Sequence, residues 1–125
     1  MPLAQERPDF RYVPRGVDAA GRVTLNERQL TASFFVSPQQ LVDSWRPRTV
    51  AELTAEDIAP LLALQPALIL LGTGTKLCFP AQAVMASALT KGVGFEVMDN
   101  AAAARTFSVL ASEGRRVVAA FLIEL

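Results

Sequence analysis

The spacing of apolar and polar positions differs between the first part of this chain and its second half. Over residues 10–36, short apolar stretches are separated by turn signals such as the one at residues 18–21, and residues 22–25 alternate with period two. This pattern predicts an antiparallel meander that ends in one continuous strand over residues 29–36. Residues 1–9 are polar and contain two prolines, so we expect a loose lead-in there.

The middle of the chain predicts one short helix. Thr54 precedes two acids, Glu56 and Asp57, and this order is typical of a helix start because a threonine caps amide groups and acids favour the positive end of the helix. We expect a helix over residues 55–64. It should stop there because a residue that precedes a proline, here Pro66, avoids the helical region.

The second half changes to longer elements. The pattern predicts a strand over residues 67–71, a helix from Pro80 to Lys91, a strand over residues 93–98, a helix from Asn100 to Glu113, and a strand over residues 116–123. The last strand is apolar along most of its length, which is typical of a central strand and not of an edge strand. A β start followed by β-α-β-α-β predicts an α/β fold with a mixed sheet covered by helices.

Composition narrows the class of protein. A chain of 125 residues with 51% apolar and 19% charged residues is expected to be one globular domain spanning residues 1–125. Twelve basic and twelve acidic residues cancel, so the usual attraction to nucleic acid is absent and we expect no nucleic-acid partner. The sequence has no histidine, which excludes histidine bases and histidine metal ligands. We expect no metal and no cofactor.

The sequence also predicts a location. The most apolar window, residues 58–71, contains two prolines and is too short to span a bilayer, so we expect no membrane span. The first residues lack the apolar core of a signal peptide, and a single cysteine fits a reducing compartment. We therefore expect a cytoplasmic protein.

A Gly72-Thr73-Gly74 turn follows the first strand of the second half, at the edge where open α/β sheets bind ligands. A dinucleotide site is one interpretation, but Leu77 stands where the third glycine should be and the helix waits until Pro80. The alternatives are a tight strand exit that needs a positive φ, or a small turn that leaves room for a ligand or a crossing backbone.

Other residues near this edge have two interpretations each. Asp99 is a helix N-cap, or a base or ligand contact at the end of a strand, and Met98 lines the core or a pocket. Arg105 is either a solvated helix residue or reaches over the Gly-Thr-Gly turn to hold an anion with Lys76, since a guanidinium binds carboxylate or phosphate with two hydrogen bonds.

The remaining candidates favour structural roles. Glu113, Arg115 and Arg116 predict charge pairing at a helix end. Cys78 lies between Leu77 and Phe79, and we expect an apolar, unreactive thiol.

Together, Gly72-Thr73-Gly74, Phe79-Pro80, Met98-Asp99 and residues 103–107, 109–110 and 113–116 closely resemble the Mth938-like domain family of unknown function. This family includes the mitochondrial complex I assembly factor 3 and an animal adipogenesis-associated protein. The resemblance covers residues 10–125. It implies a three-layer α/β fold with a mixed central sheet, an added antiparallel β element and helices on its faces. It also implies a small cavity near the Gly-Thr-Gly turn and no established enzymatic activity.

The residues that match the family's motif, and that the resemblance therefore marks as cavity candidates, are Gly72, Thr73, Gly74, Met98, Asp99, Arg105, Thr106 and Glu113. Two positions depart from the family's motif. The family often has arginine where this chain has Lys76, and asparagine where it has Ser108. Lysine keeps the charge but loses the two-pronged geometry of a guanidinium.

Two hypotheses about function follow. In the first, the chain is a non-enzymatic domain that binds a partner protein or a second copy of itself, as an assembly factor does, and this predicts an exposed apolar patch. In the second, it binds or transforms a small anionic metabolite at the Gly-Thr-Gly turn, with Lys76 and Arg105 holding the anion and Asp99 as the candidate catalytic base. The second hypothesis requires Arg105 to point into the site.

Overall fold

The structure, a computed structural model, describes residues 11–124, so the predicted lead-in lies outside the described part of the chain. Within this described part, the chain forms eight strands and three α-helices, and two 3₁₀ turns, Val50–Glu52 and Ala55–Asp57, precede the first of these helices. The strands are β1 (Pro14–Val17), β2 (Val23–Leu25), β3 (Arg28–Leu30), β4 (Phe34–Val36), β5 (Leu41–Val42), β6 (Leu68–Gly72), β7 (Gly94–Met98) and β8 (Val117–Phe121); the helices are α1 (Ala59–Leu62), α2 (Gln82–Leu89) and α3 (Asn100–Ser112).

A mixed five-stranded sheet lies at the centre, in the order β5-β4-β8-β6-β7. β6 runs parallel to both β7 and β8, whereas β4 runs antiparallel to β8 and β5. All five residues of β8 are buried, so the prediction of a central last strand is confirmed. β1, β2 and β3 form a separate antiparallel sheet.

The two faces of the central sheet bury separate apolar clusters. Successive residues of β8 alternate between them: Val117 and Phe121 face α3 and the small sheet, whereas Val118 faces α1 and α2. Phe121 stacks on Phe34, with ring centroids 4.9 Å apart. The fold is therefore a three-layer α/β structure with a mixed central sheet, an added antiparallel β element and helices on its faces.

One predicted strand is wrong, because residues 29–36 divide between the two sheets. β3 ends at Leu30 in the small sheet, and β4 begins at Phe34 in the central sheet. Ser33 is buried between them; its hydroxyl oxygen accepts the Ile123 N–H at 2.9 Å and its carbonyl accepts the Trp45 N–H at 3.0 Å. These bonds hold the chain where it steps from one sheet to the other.

Two helices differ from their predicted bounds. The helix expected over residues 55–64 is a 3₁₀ turn followed by the single turn of α1, and Pro60, which lacks an N–H, lies in that first turn. α2 begins at Gln82, two residues later than expected, and Leu89 at its end is exposed. α3 begins after Asp99 as predicted, and Ala103 and Phe107 form part of its buried face.

Candidate functional site

The Gly-Thr-Gly turn lies where two helices leave the central sheet in opposite directions. The chain passes from β6 to α2 on one face and from β7 to α3 on the other. In open α/β sheets, the crevice between such diverging loops is the usual position of a ligand.

In this protein, hydrogen bonds close that crevice. The Thr73 N–H donates to the Met98 carbonyl at 2.9 Å, the Asn100 N–H donates to the Gly74 carbonyl at 2.8 Å, and the Gly74 N–H donates to the Asn100 side-chain oxygen at 3.0 Å. The turn amides that a pyrophosphate would need already have acceptors. α2 begins only at Gln82, so its N-terminus does not open on the glycines either. This geometry argues against a dinucleotide site.

Asn100, which the sequence analysis treated only as a helix start, organises this edge. Its side chain is fully buried. Its nitrogen donates to the Gly21 carbonyl at 2.9 Å and the Leu122 carbonyl at 3.0 Å, while its oxygen accepts from Gly74. We call these bonds the Asn100 clamp. An asparagine directly after the capping aspartate of α3, Asp99, was the available signal, but its three partners are remote in sequence.

The clamp also explains one of the two glycines. A Cβ atom at Gly72 would collide with the Asn100 side-chain oxygen and lie 3.2 Å from the Phe121 ring. Gly74 has a different reason, since its φ of 95° lies in the left-handed region that favours glycine. The expected positive φ therefore applies to Gly74, whereas Gly72 is needed for close approach.

Thr73 shapes the loop that follows. Its hydroxyl donates to the Lys76 carbonyl at 2.6 Å and accepts the Cys78 N–H at 3.3 Å. The backbone of residues 73–78 is thereby folded back on itself. The side chains beyond this anchor are exposed, and Leu77 and Phe79 show 55% and 65% of their surface to solvent.

A cleft of 680 Å³, which we call the loop cleft, lies beside this loop. Three further segments complete it: the turn after β1, the first 3₁₀ segment, and the chain beyond β8. Its lining residues are Ala19, Ala20, Arg48, Thr49, Val50, Ala51, Thr73, Gly74, Thr75, Lys76, Cys78, Leu122 and Glu124. Sequence reasoning missed Arg48 and Glu124, because only the fold brings their segments to the Gly-Thr-Gly turn.

The charges of the loop cleft are unevenly paired. The Arg48 guanidinium lies 3.5 Å from the Glu52 carboxylate. The hydrogen bond from the Arg48 backbone N–H lowers the pKa of Glu52 most, and the nearby guanidinium charges lower it further. Among residues 11–124, Lys76 and Glu124 take part in no ion pair. The same residues contain no group of three or more acidic or cysteine side chains that could hold a metal ion.

Asp99 and Met98 stay close to the turn but face different surroundings. The Asp99 carboxylate accepts the Ala102 N–H at 2.8 Å and therefore caps α3. It also lines a smaller depression of 190 Å³ next to Gly74 and Thr75. Met98 is half-buried and packs on the cluster beneath α3.

Arg105 does not reach over the Gly-Thr-Gly turn. It is exposed and lines a separate groove of 450 Å³ between α3 and β1, together with Ser108. Position 105 lies on the face of α3 that is directed towards β1, whereas the Gly-Thr-Gly turn lies beyond the start of this helix. Arg105 and Lys76 therefore line different cavities, contrary to the geometry that the anion hypothesis requires.

The last candidates lie further away. Thr106 is half-buried on α3 and lines none of the cavities described above. Glu113 is exposed and forms no ion pair within the described chain, while Arg116 donates to the Gln65 carbonyl at 3.2 Å, so the expected pairing at the helix end is absent. Cys78 is exposed in the loop cleft and does not lie in an apolar core.

Comparison with known proteins agrees with this architecture. The fold defines a small α/β domain of the Mth938-like type. Residues 18–122 match the model of a family described as protein of unknown function DUF498/DUF598, and the chain belongs to that family.

Three solved structures of bacterial proteins are similar to this chain over most of their length. XCC1710 from Xanthomonas campestris is 47% identical, with a TM-score of 0.83 over 98% of this chain and 92% of that chain. A Bordetella parapertussis protein is 31% identical, with a TM-score of 0.84 over 90% and 96%. A Bordetella pertussis protein, described as a Mth938-like domain, is 26% identical, with a TM-score of 0.79 over 99% and 93%.

No curated protein matches the chain significantly in sequence. Within residues 11–124, none of the helices has the length and apolar character needed to cross a membrane.

Proposed function

We propose that this chain is a non-enzymatic protein-binding domain whose contact surface is the loop of residues 76–79, here called the contact loop. The supporting observation is that Leu77 and Phe79 expose 55% and 65% of their surface on a loop whose backbone is anchored by Thr73. Burying an exposed Leu or Phe side chain fully against a partner contributes roughly 1.5–3 kcal/mol.

The contact loop also favours a particular partner chemistry. Lys76 directly precedes the two apolar side chains and forms no ion pair among the described residues. A partner segment that places an acidic side chain beside an apolar one would complement this arrangement. The resemblance to a family that includes an assembly factor supports the same role.

The hypothesis of an anion site with Lys76 and Arg105 as cations and Asp99 as the catalytic base has less support. Arg105 lines another groove, and the Asp99 carboxylate already accepts a hydrogen bond at the start of α3. Lys76 and Arg105 line different cavities, and this favours the contact loop over a two-cation site beside Asp99.

The chain offers a matched control for testing the contact loop. Leu89 on α2 and Val109 on α3 expose 54% and 55% of their surface, nearly as much as Leu77. We expect immobilised wild-type protein and a Leu89→Ser/Val109→Ser variant to retain the same partner proteins from a cell extract. A Leu77→Ser/Phe79→Ser variant should lose them, because it removes apolar surface only at the loop.

Sedimentation velocity on the same three proteins tests whether the partner is a second copy of this chain. Circular dichroism must show that both variants keep their fold. Equal retention by all three proteins, or equal loss by both variants, would contradict the proposal.

A further inference from the structure

We propose that the loop cleft binds a small oxyanion, a carboxylate or a phosphate group, between Arg48 and Lys76. These two cations come from segments 28 residues apart, yet they line one cleft of 680 Å³. That volume lies within the range of about 300–1,000 Å³ typical of small-molecule sites. This inference shares Lys76 with the contact loop but goes beyond it, because it adds Arg48 and needs neither Leu77 nor Phe79.

Arg48 is held in place while most of its donors stay available. Its backbone N–H donates to one Glu52 oxygen at 2.9 Å, and one terminal nitrogen approaches the other at 3.5 Å. A guanidinium has five N–H groups, so a two-pronged contact with an oxyanion is still open to it. An exposed pair such as Arg48–Glu52 contributes at most about 1 kcal/mol, so a bound ligand can compete with it.

Lys76 and two threonine hydroxyl groups supply further donors to the loop cleft. The Lys76 carbonyl is fixed by the Thr73 hydroxyl, so the backbone that presents the ammonium group is already ordered. The hydroxyl groups of Thr49 and Thr75, which also line the cleft, make no hydrogen bond among residues 11–124. A hydroxyl donates as well as accepts, and both can serve an anion between the two cations.

Glu124 sets a limit on the ligand. It is the one carboxylate that lines the loop cleft within the described chain, and it forms no ion pair there. Its charge opposes any anion held by Arg48 and Lys76. The proposal therefore predicts effects of opposite direction. Neutralising Glu124 must strengthen anion binding, whereas neutralising Arg48 or Lys76 must weaken it.

Amide NMR titration of the full chain tests the site, with inorganic phosphate and acetate as separate probes at constant ionic strength. We expect saturable shifts at Thr75, Lys76 and Cys78. Arg48→Gln and Lys76→Gln should each weaken binding at least about tenfold, as expected for one lost charge-assisted hydrogen bond. Lys91→Gln, which removes the chain's other lysine at an exposed position, should bind as wild type does.

The remaining outcomes are equally decisive. Saturation by phosphate alone assigns a phosphate ligand, and saturation by acetate alone assigns a carboxylate. Shifts that grow linearly with either probe, that persist in Arg48→Gln and Lys76→Gln, or that weaken in Glu124→Gln would overturn the site. The Leu77→Ser/Phe79→Ser variant should still bind the anion, so failure of the contact loop and failure of this site can be told apart.

Discussion

At the scale of single residues, Asn100 connects more of the molecule than any candidate from the sequence. Its carboxamide has three backbone partners, which lie in the turn after β1, in the Gly-Thr-Gly turn and beyond β8. The residue is fully buried, and its bonds to Gly21 and Leu122 are buried with it, whereas the bond from Gly74 is partly buried. The start of α3 and the walls of the loop cleft are therefore fixed by one side chain.

We expect Asn100→Ala to lower the free energy of unfolding by at least about 2 kcal/mol, because it leaves two buried carbonyls and the partly buried Gly74 N–H without their partner. Urea denaturation measures this loss. Arg105→Ala, an exposed change on the same helix, should cost less than about 0.5 kcal/mol. Equal losses in the two variants would show that the clamp contributes nothing specific.

Gly72 provides an internal check on that prediction. Gly72→Ala introduces a methyl group against the Asn100 oxygen, so it should be costly in the wild-type background. In an Asn100→Ala background, that oxygen is gone and the additional cost should be smaller. Strictly additive losses would argue against a direct contact between the two positions.

At the scale of elements, an ion pair joins the chain after β5 to the turns before α1. Arg46 binds both oxygens of the Asp57 carboxylate, at 3.0 and 2.6 Å, and also donates to the Glu52 carbonyl. The N–H and hydroxyl of Thr54 donate to the same carboxylate at 2.8 and 2.9 Å. The Arg46 hydrogen bonds, with help from those of Thr54, hold the pKa of Asp57 below its usual value although its partial burial acts in the opposite direction.

This ion pair makes stability depend on pH. Because the pKa of Asp57 is lower in the folded state, its stabilisation is complete above the unfolded value, near pH 4, and is lost as the pH falls through the folded value. We expect Asp57→Asn to lower the free energy of unfolding by about 1–3 kcal/mol at pH 7, and this difference should shrink below about pH 4.

Urea denaturation at several pH values measures that difference. Glu56→Gln is the control, since the Glu56 side chain is exposed and makes no hydrogen bond among residues 11–124. A difference between wild type and Asp57→Asn that stays constant down to about pH 2 would contradict the assignment.

Local patterns predicted the order and type of the elements in the second half, because its strands are largely apolar and Asp99 marks the start of α3, although α2 begins two residues later than expected. They failed at Ser33, where a strand-like run is cut by a buried hydroxyl whose partner, Ile123, is 90 residues away. The site shows the same limit. Thr73, Gly74 and Lys76 lie on the loop cleft. Arg48, Glu124 and the Asn100 partners depend on tertiary contacts that local patterns do not contain.

At the scale of the whole molecule, the two apolar clusters share the central sheet as a common wall. Each contains a natural probe: Trp45 is buried in the cluster beside α1 and α2, and Tyr12 packs on the cluster beneath α3. The sequence has one tryptophan and one tyrosine, so each signal has a single source. Residues of β8 face both clusters, and neither cluster can lose the strand without affecting the other.

We therefore expect both clusters to unfold in one transition. Tryptophan fluorescence and the NMR ring signals of Tyr12 should give the same urea midpoint, which should also match far-ultraviolet circular dichroism. Two separated midpoints would show that the small sheet and α3 unfold independently of α1 and α2.

The position of β8 also has a consequence for biosynthesis. β8 is the last of the described strands in chain order, yet it lies between β4 and β6 and supplies the partner for both. A nascent chain that has left the ribosome only as far as β7 therefore holds two sheet fragments whose inner edges are still open. Such edges invite aggregation, so this protein should depend on rapid completion or on chaperones until its central strand emerges.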